Sequence, residues 1–89
     1  MTPAQLAERT LEDVCRVTGL PPRAVARYGQ GRTAYARHAW LWLVWEMLGC
    51  PPRRVVAEAC GVRVWVVKAA RDSRWSPAWK IVKAVLRCG

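Results

Sequence analysis

The chain has no Cys-x-x-Cys pair, a single histidine and only six carboxylates, three of which fall within the first thirteen residues. Metal and acid–base chemistry need convergent ligands or groups of tuned pKa, and this inventory supplies neither. No Gly-x-x-x-x-Gly-Lys-[Ser/Thr] run is present, which excludes a P-loop nucleotide site, and no serine stands in a nucleophile-elbow setting. The apolar run Ala39 to Trp45 is far short of a bilayer span and is closed by Glu46. No basic n-region with an apolar h-region and cleavage site opens the sequence, so a cytoplasmic, nucleoid-associated setting is expected. Cys15, Cys50, Cys60 and Cys88 then read as thiols rather than disulfides, with Cys15 and Cys60 on inward helix faces. No metal, no cofactor and no enzymatic activity are expected. A Cys60–His38 nucleophile pair is set aside because Cys60 occupies a packing position.

What the chain does have is apolar bulk and positive charge. Its 89 residues fit one small domain, and 53% of them are hydrophobic, six being tryptophan and none phenylalanine. That composition argues for a folded globule rather than a basic tail. The formal charge is +9; the first thirteen residues carry −2, so +11 falls on the remainder. Such a field attracts polyanions, of which nucleic acid is the commonest soluble kind.

The pattern predicts an all-α bundle of about six helices forming one domain over residues 1–89. Thr2-Pro3-Ala4-Gln5 supplies an N-cap, a proline at the first helical position and a capping glutamine; Gly19 supplies a stop. A helix is therefore expected over 3–18, with Ala7, Leu11, Val14, Cys15 and Thr18 along its inner stripe. A short helix over about 22–28 buries Val25 and Tyr28, and Gly29-Gln30-Gly31 break it before a mobile loop bearing Arg32. Thr33 to Leu48 is apolar on nearly every side, which marks a central helix with Trp40, Trp42 and Trp45 in the core. Pro51-Pro52 open a fourth helix to about Cys60, and a fifth runs from about Arg63 to Asp72. Ser76-Pro77 start a last helix to about Arg87 that turns Ile81, Val82, Val85 and Leu86 inward.

The stretch Arg53 to Asp72 carries the functional signal. Two helices meeting across a tight turn need a small residue where their backbones approach, a turn residue that tolerates positive φ, and apolar residues that lock the corner. Ala57, Gly61 and Val62 stand in that register, with Val56, Cys60, Val67 and Ala70 completing the inner face. The outer face of the second helix then shows Arg63, Val64, Trp65, Lys68, Ala69, Arg71 and Asp72, the set that a helix-turn-helix lays in the major groove. Arg63 suits guanine O6 and N7 or a phosphate, and Val64 and Ala69 suit thymine methyls. Lys68 and Arg71 suit phosphate, as do Arg32, Arg37, Arg53 and Arg54 in a loop or at helix starts, with His38 beside Arg37. Trp65 is expected either to stack on a base or sugar edge or, by preference, to pack on Trp75 or Trp79.

Over about residues 10–72 the sequence resembles the C-terminal DNA-binding domain of the bacterial replication initiator DnaA. The similar features are lead-in helices over Val14 to Arg27, an arginine-bearing loop, Ala36-Arg37-His38 opening a long helix that ends near Glu46, and the closing run Val66-Val67-Lys68-Ala69-Ala70-Arg71. The resemblance implies a loop in the minor groove, backbone contact at Arg37 and a recognition helix in the major groove. The family's turn, Gly-Gly-Arg-Asp-His, is shortened here to Gly61-Val62-Arg63-Val64-Trp65, so its Asp-His base readers are missing; Lys68 stands where a family histidine sits.

The function these residues lead us to expect is sequence-specific binding of double-stranded DNA by a small bacterial or phage-like transcription regulator, of the kind found with prophages and gene transfer agents. The expected partners are duplex DNA and, on the remaining surface, a second regulator or RNA polymerase, with no membrane involvement. A homodimer through the last helix, beside Trp75 and Trp79, is the oligomer to test. The alternative is a protein-interaction adaptor that keeps the fold without base readout.

Overall fold

The computed structural model describes residues 1–26, 31–72 and 77–88, with side chains through Arg87. Among these residues there are six helices: α1 (Pro3–Thr18), α2 (Pro22–Ala26), α3 (Arg32–Met47), α4 (Arg53–Cys60), α5 (Val64–Asp72) and α6 (Ala78–Cys88). The all-α expectation holds. Tyr28, Gly29, Gln30, Trp75 and Ser76, to which the sequence reading gave turn, core or cap roles, lie outside the described residues.

Local chemistry sets the ends of α1. The Thr2 hydroxyl accepts from the Gln5 amide at 3.2 Å while the Gln5 side chain accepts from the Thr2 amide at 2.9 Å, a reciprocal capping box. Gly19 closes the helix at φ 74°, donating its amide to the Cys15 carbonyl. Ala7 and Val14 are buried as expected, and Leu11 and Cys15 pack against the core. Thr10 is buried as well, and its hydroxyl is satisfied within α1 by the Leu6 carbonyl at 2.7 Å.

The central helix is α3, which packs against each of the other five. Ala36, Ala39, Trp40, Leu41, Leu43 and Val44 are buried over an arc of roughly 200° of it. Trp40 donates its indole N–H to the Ala7 carbonyl of α1 at 2.7 Å, so its polar atom is satisfied inside the core. Trp42 and Trp45 are half-buried at the core's edge. Trp42 meets Trp79 of α6 edge-on at 4.9 Å, and Trp45 donates to the Pro51 carbonyl at 3.1 Å. One boundary and one burial differ from the sequence expectation in ways that matter to the packing. Arg32 is the first residue of α3 rather than a loop residue, and Leu86 is exposed rather than inward. Ala78, Val82 and Val85 already fill the inner stripe of α6, and Leu86, one residue or roughly 100° further round, turns to solvent.

The connection between α4 and α5 takes three residues, Gly61 to Arg63. Gly61 adopts φ 68°, ψ 31°, its amide reaches the Glu58 carbonyl at 3.4 Å, and the Val62 amide reaches the Ala57 carbonyl at 3.0 Å. That pair of bonds is a Schellman closure. Ala57, Val56, Val67 and Ala70 are buried, and Cys60 and Val62 are partly so, in the inner register expected of the corner.

Nothing lies within 4 Å of where a Cβ would sit on Gly61, so only the left-handed backbone constrains that position. Gly61→Val should lower stability by about 1–2 kcal/mol, at ~4–8 °C per kcal/mol in a domain of this size, whereas Gly61→Asn should stay closer to the parent. Thermal melts followed by circular dichroism check the ordering; a valine variant that melts with the parent would contradict it.

Candidate nucleic-acid interface

The face that α5 turns outward follows from its inward residues. At 100° per residue, the buried Val66, Val67 and Ala70 fix one side. Arg71, Val64, Lys68, Asp72 and Trp65 then share an exposed arc of roughly 120°. Val64 is 45% and Trp65 56% exposed, unusual for residues of their size. Arg63 is exposed in the turn just ahead of the helix and holds its first residues through a bond from the Val66 amide to its carbonyl at 3.0 Å. Arg53 and Arg54 are exposed in the first turn of α4. Val64, Trp65, Lys68 and Arg71 thus share the outward side of α5, with Arg63 in the turn ahead of it, while Arg53 and Arg54 stand at the far end of α4 from that turn.

Arg71 has a packing role that the sequence did not reveal. Its guanidinium lies 4.4 Å from the centre of the Trp45 ring, so the last turn of α5 is pinned to the end of α3 by a cation–π contact. The pairing spans 26 positions in sequence and has no local signature.

Arg37 is placed differently from its expected position at a helix start. It is the sixth residue of α3, on a side that faces the bundle, and is 5% exposed. It lines a cleft of about 210 Å³ with Ala26, Gly61, Val62, Arg63, Trp65 and Val66, beneath the α4–α5 turn. His38, next in sequence, is half-buried, and its Nδ1 is enclosed without a hydrogen-bond partner. Burial, and secondarily the charge of Arg37, hold its pKa below the ordinary 6.5. A neutral imidazole near pH 7 is a poor electrostatic partner for phosphate.

Arg32 is exposed but separate from this cluster. Its guanidinium donates through Nη2 to the Thr18 carbonyl at the end of α1, at 3.1 Å, and borders a different groove. Trp65 flanks the Arg37 cleft; Trp79, one of its expected packing partners, is engaged by Trp42. Burial pushes the Cys60 thiol up to about 12, which holds it protonated near neutrality. Among the described residues, no helix is long and apolar enough to cross a membrane.

No protein-family model, curated relative or solved structure matches this chain.

Two outcomes follow from burial. Arg37→Ala should cost about 1–3 kcal/mol of stability through lost packing, whereas Arg53→Ala and Arg54→Ala should stay within about 0.5 kcal/mol of the parent; denaturant midpoints separate them. His38 should also make the fold acid-sensitive. Its folded pKa lies below the unfolded value, so the stability it supports is full above about pH 6.5 and is lost as pH falls from there through the folded pKa. The stability difference between parent and His38→Gln should accordingly shift in favour of the variant between pH 7.5 and pH 5; parallel stability–pH curves would show that His38 does not titrate in this way.

Proposed function

We propose that this protein binds double-stranded DNA through α4, the Gly61–Arg63 turn and α5, acting as a small sequence-specific regulator associated with the nucleoid. The observation that carries the reading is the exposed arc of α5, where Val64, Trp65, Lys68, Arg71 and Asp72 share one side, with Arg63 exposed in the turn just ahead of it, on a chain of net charge +9. An α-helix fits the major groove of B-form DNA; this arc offers it a small apolar contact and two cations beside one carboxylate, and the turn ahead of it offers a long bidentate donor. Arg63 leads as the base reader, because it is the long donor at the start of α5. Lys68 and Arg71 meet the sugar–phosphate backbone from the same helix, and Arg53 and Arg54 do so from α4. Arg37, buried beneath the turn, does not reach the duplex itself.

The exposed Val64 and Trp65 also suit a protein-interaction adaptor, since paired apolar side chains on an outer helix face are typical of contact surfaces. Salt dependence separates the two readings. Phosphate contact releases counterions, so affinity for duplex falls steeply between low and moderate salt.

Fluorescence anisotropy against mixed genomic duplex at two salt concentrations should show binding that weakens with salt, and selection from a random duplex pool should return a preferred site. On that site Arg63→Ala should cost about 1–3 kcal/mol and relax preference at one base pair, while Arg53→Ala and Arg54→Ala weaken all duplexes about equally. Absence of binding at low salt would favour the adaptor, and an Arg63→Ala protein with unchanged preference would remove that residue from the interface.

A further inference from the structure

A second surface is left unused by the DNA reading. Between the end of α1, the start of α3 and the start of α6 runs an open groove of about 330 Å³. Its floor is formed by Val17, Tyr35, Ile81 and Ala84, and its charged lining residues are Arg32 and Lys80, with no carboxylate among the described ones. Arg32 is held at the rim by its bond to the Thr18 carbonyl, so one of its five N–H donors is engaged there and the cation has a fixed place. At 100° per residue, Lys80, Lys83, Ala84 and Arg87 share one side of α6, and the three cations are all exposed, so the basic rim continues along the helix.

We propose that this groove docks an acidic amphipathic helix of a partner protein. The apolar floor would take the helix's hydrophobic face, and Arg32, Lys80, Lys83 and Arg87 would pair with its carboxylates. Charge complementarity selects this occupant. A second copy of the chain brings its own net +9 to a rim that is already cationic, and an apolar floor offers a DNA phosphate no donor. The groove also lies across α3 from the candidate DNA face. Tyr35 lines the groove and Arg37 lines the cleft under the α4–α5 turn; two residues apart on one helix, they point about 200° from each other. Partner and duplex would be held on opposite sides, a bridging arrangement. The docking proposal itself stands without the DNA reading.

The test uses the full chain, isotopically labelled, and a synthetic helix of about 16 residues with leucine at i, i+3, i+4 and i+7 spacing and glutamate elsewhere. A scrambled peptide of identical composition serves as control. Anisotropy should show the amphipathic peptide binding roughly tenfold tighter than the scramble, with amide shift changes centred on Val17, Tyr35, Ile81 and Ala84. Ala84→Trp, which fills the groove, and Lys80→Glu, an exposed reversal that leaves the core untouched, should each weaken binding by roughly tenfold. Equal binding of the scramble, shift changes centred on α5, or parental affinity in Lys80→Glu would overturn the proposal. So would vesicles rich in phosphatidylglycerol perturbing these groove residues where the peptide does not, or sedimentation showing a dimer closed over them.

Discussion

The fold depends on one constraint, that α3 has no face suited to water along most of its length. A helix apolar on every side is stable only when surrounded, and the five further helices among the described residues all pack against it. Burying tryptophan carries a second requirement, since each indole N–H needs an acceptor. Trp40 finds one in the Ala7 carbonyl and Trp45 in the Pro51 carbonyl. These two bonds lie on opposite flanks of the helix's history in the chain: one fixes it to the segment before it, the other to the segment that follows. The candidate interface inherits its geometry from this arrangement, because Val66, Val67 and Ala70 pack inward and leave the opposite side of α5 outward.

Much of this was legible in the sequence, for reasons that are local. The limits of α1 follow from Thr2, Pro3, Gln5 and Gly19, whose effects act within one turn. The α4–α5 corner follows from Ala57, Gly61 and Val62, where backbone geometry restricts residue type more than packing does. The outward set on α5 follows from helical periodicity alone. By contrast, the sequence marks no start for α3 at Arg32, since Gly31 gives no side-chain cap there.

The illegible part is what depends on contacts distant in sequence. Nothing around Arg37 distinguishes it from the exposed arginines; its burial is decided by α2 and the α4–α5 turn closing over it. The basic groove unites residues of three helices, from Val17 to Ala84, and no local motif announces it. Leu86 shows the reverse error, an apolar residue read as core although Val82 and Val85 had already filled the available stripe.

The contact between Arg71 and Trp45 has a wider effect than holding two helix ends together. Had a carboxylate held that guanidinium, the pair would form a neutral dipole and vanish from view a few ångströms away. An indole face attracts the cation through its quadrupole and cancels none of its charge. Arg71 thus braces the fold at short range while still counting in full toward the long-range field that meets an approaching polyanion. The protein secures the end of α5 with no loss of monopole.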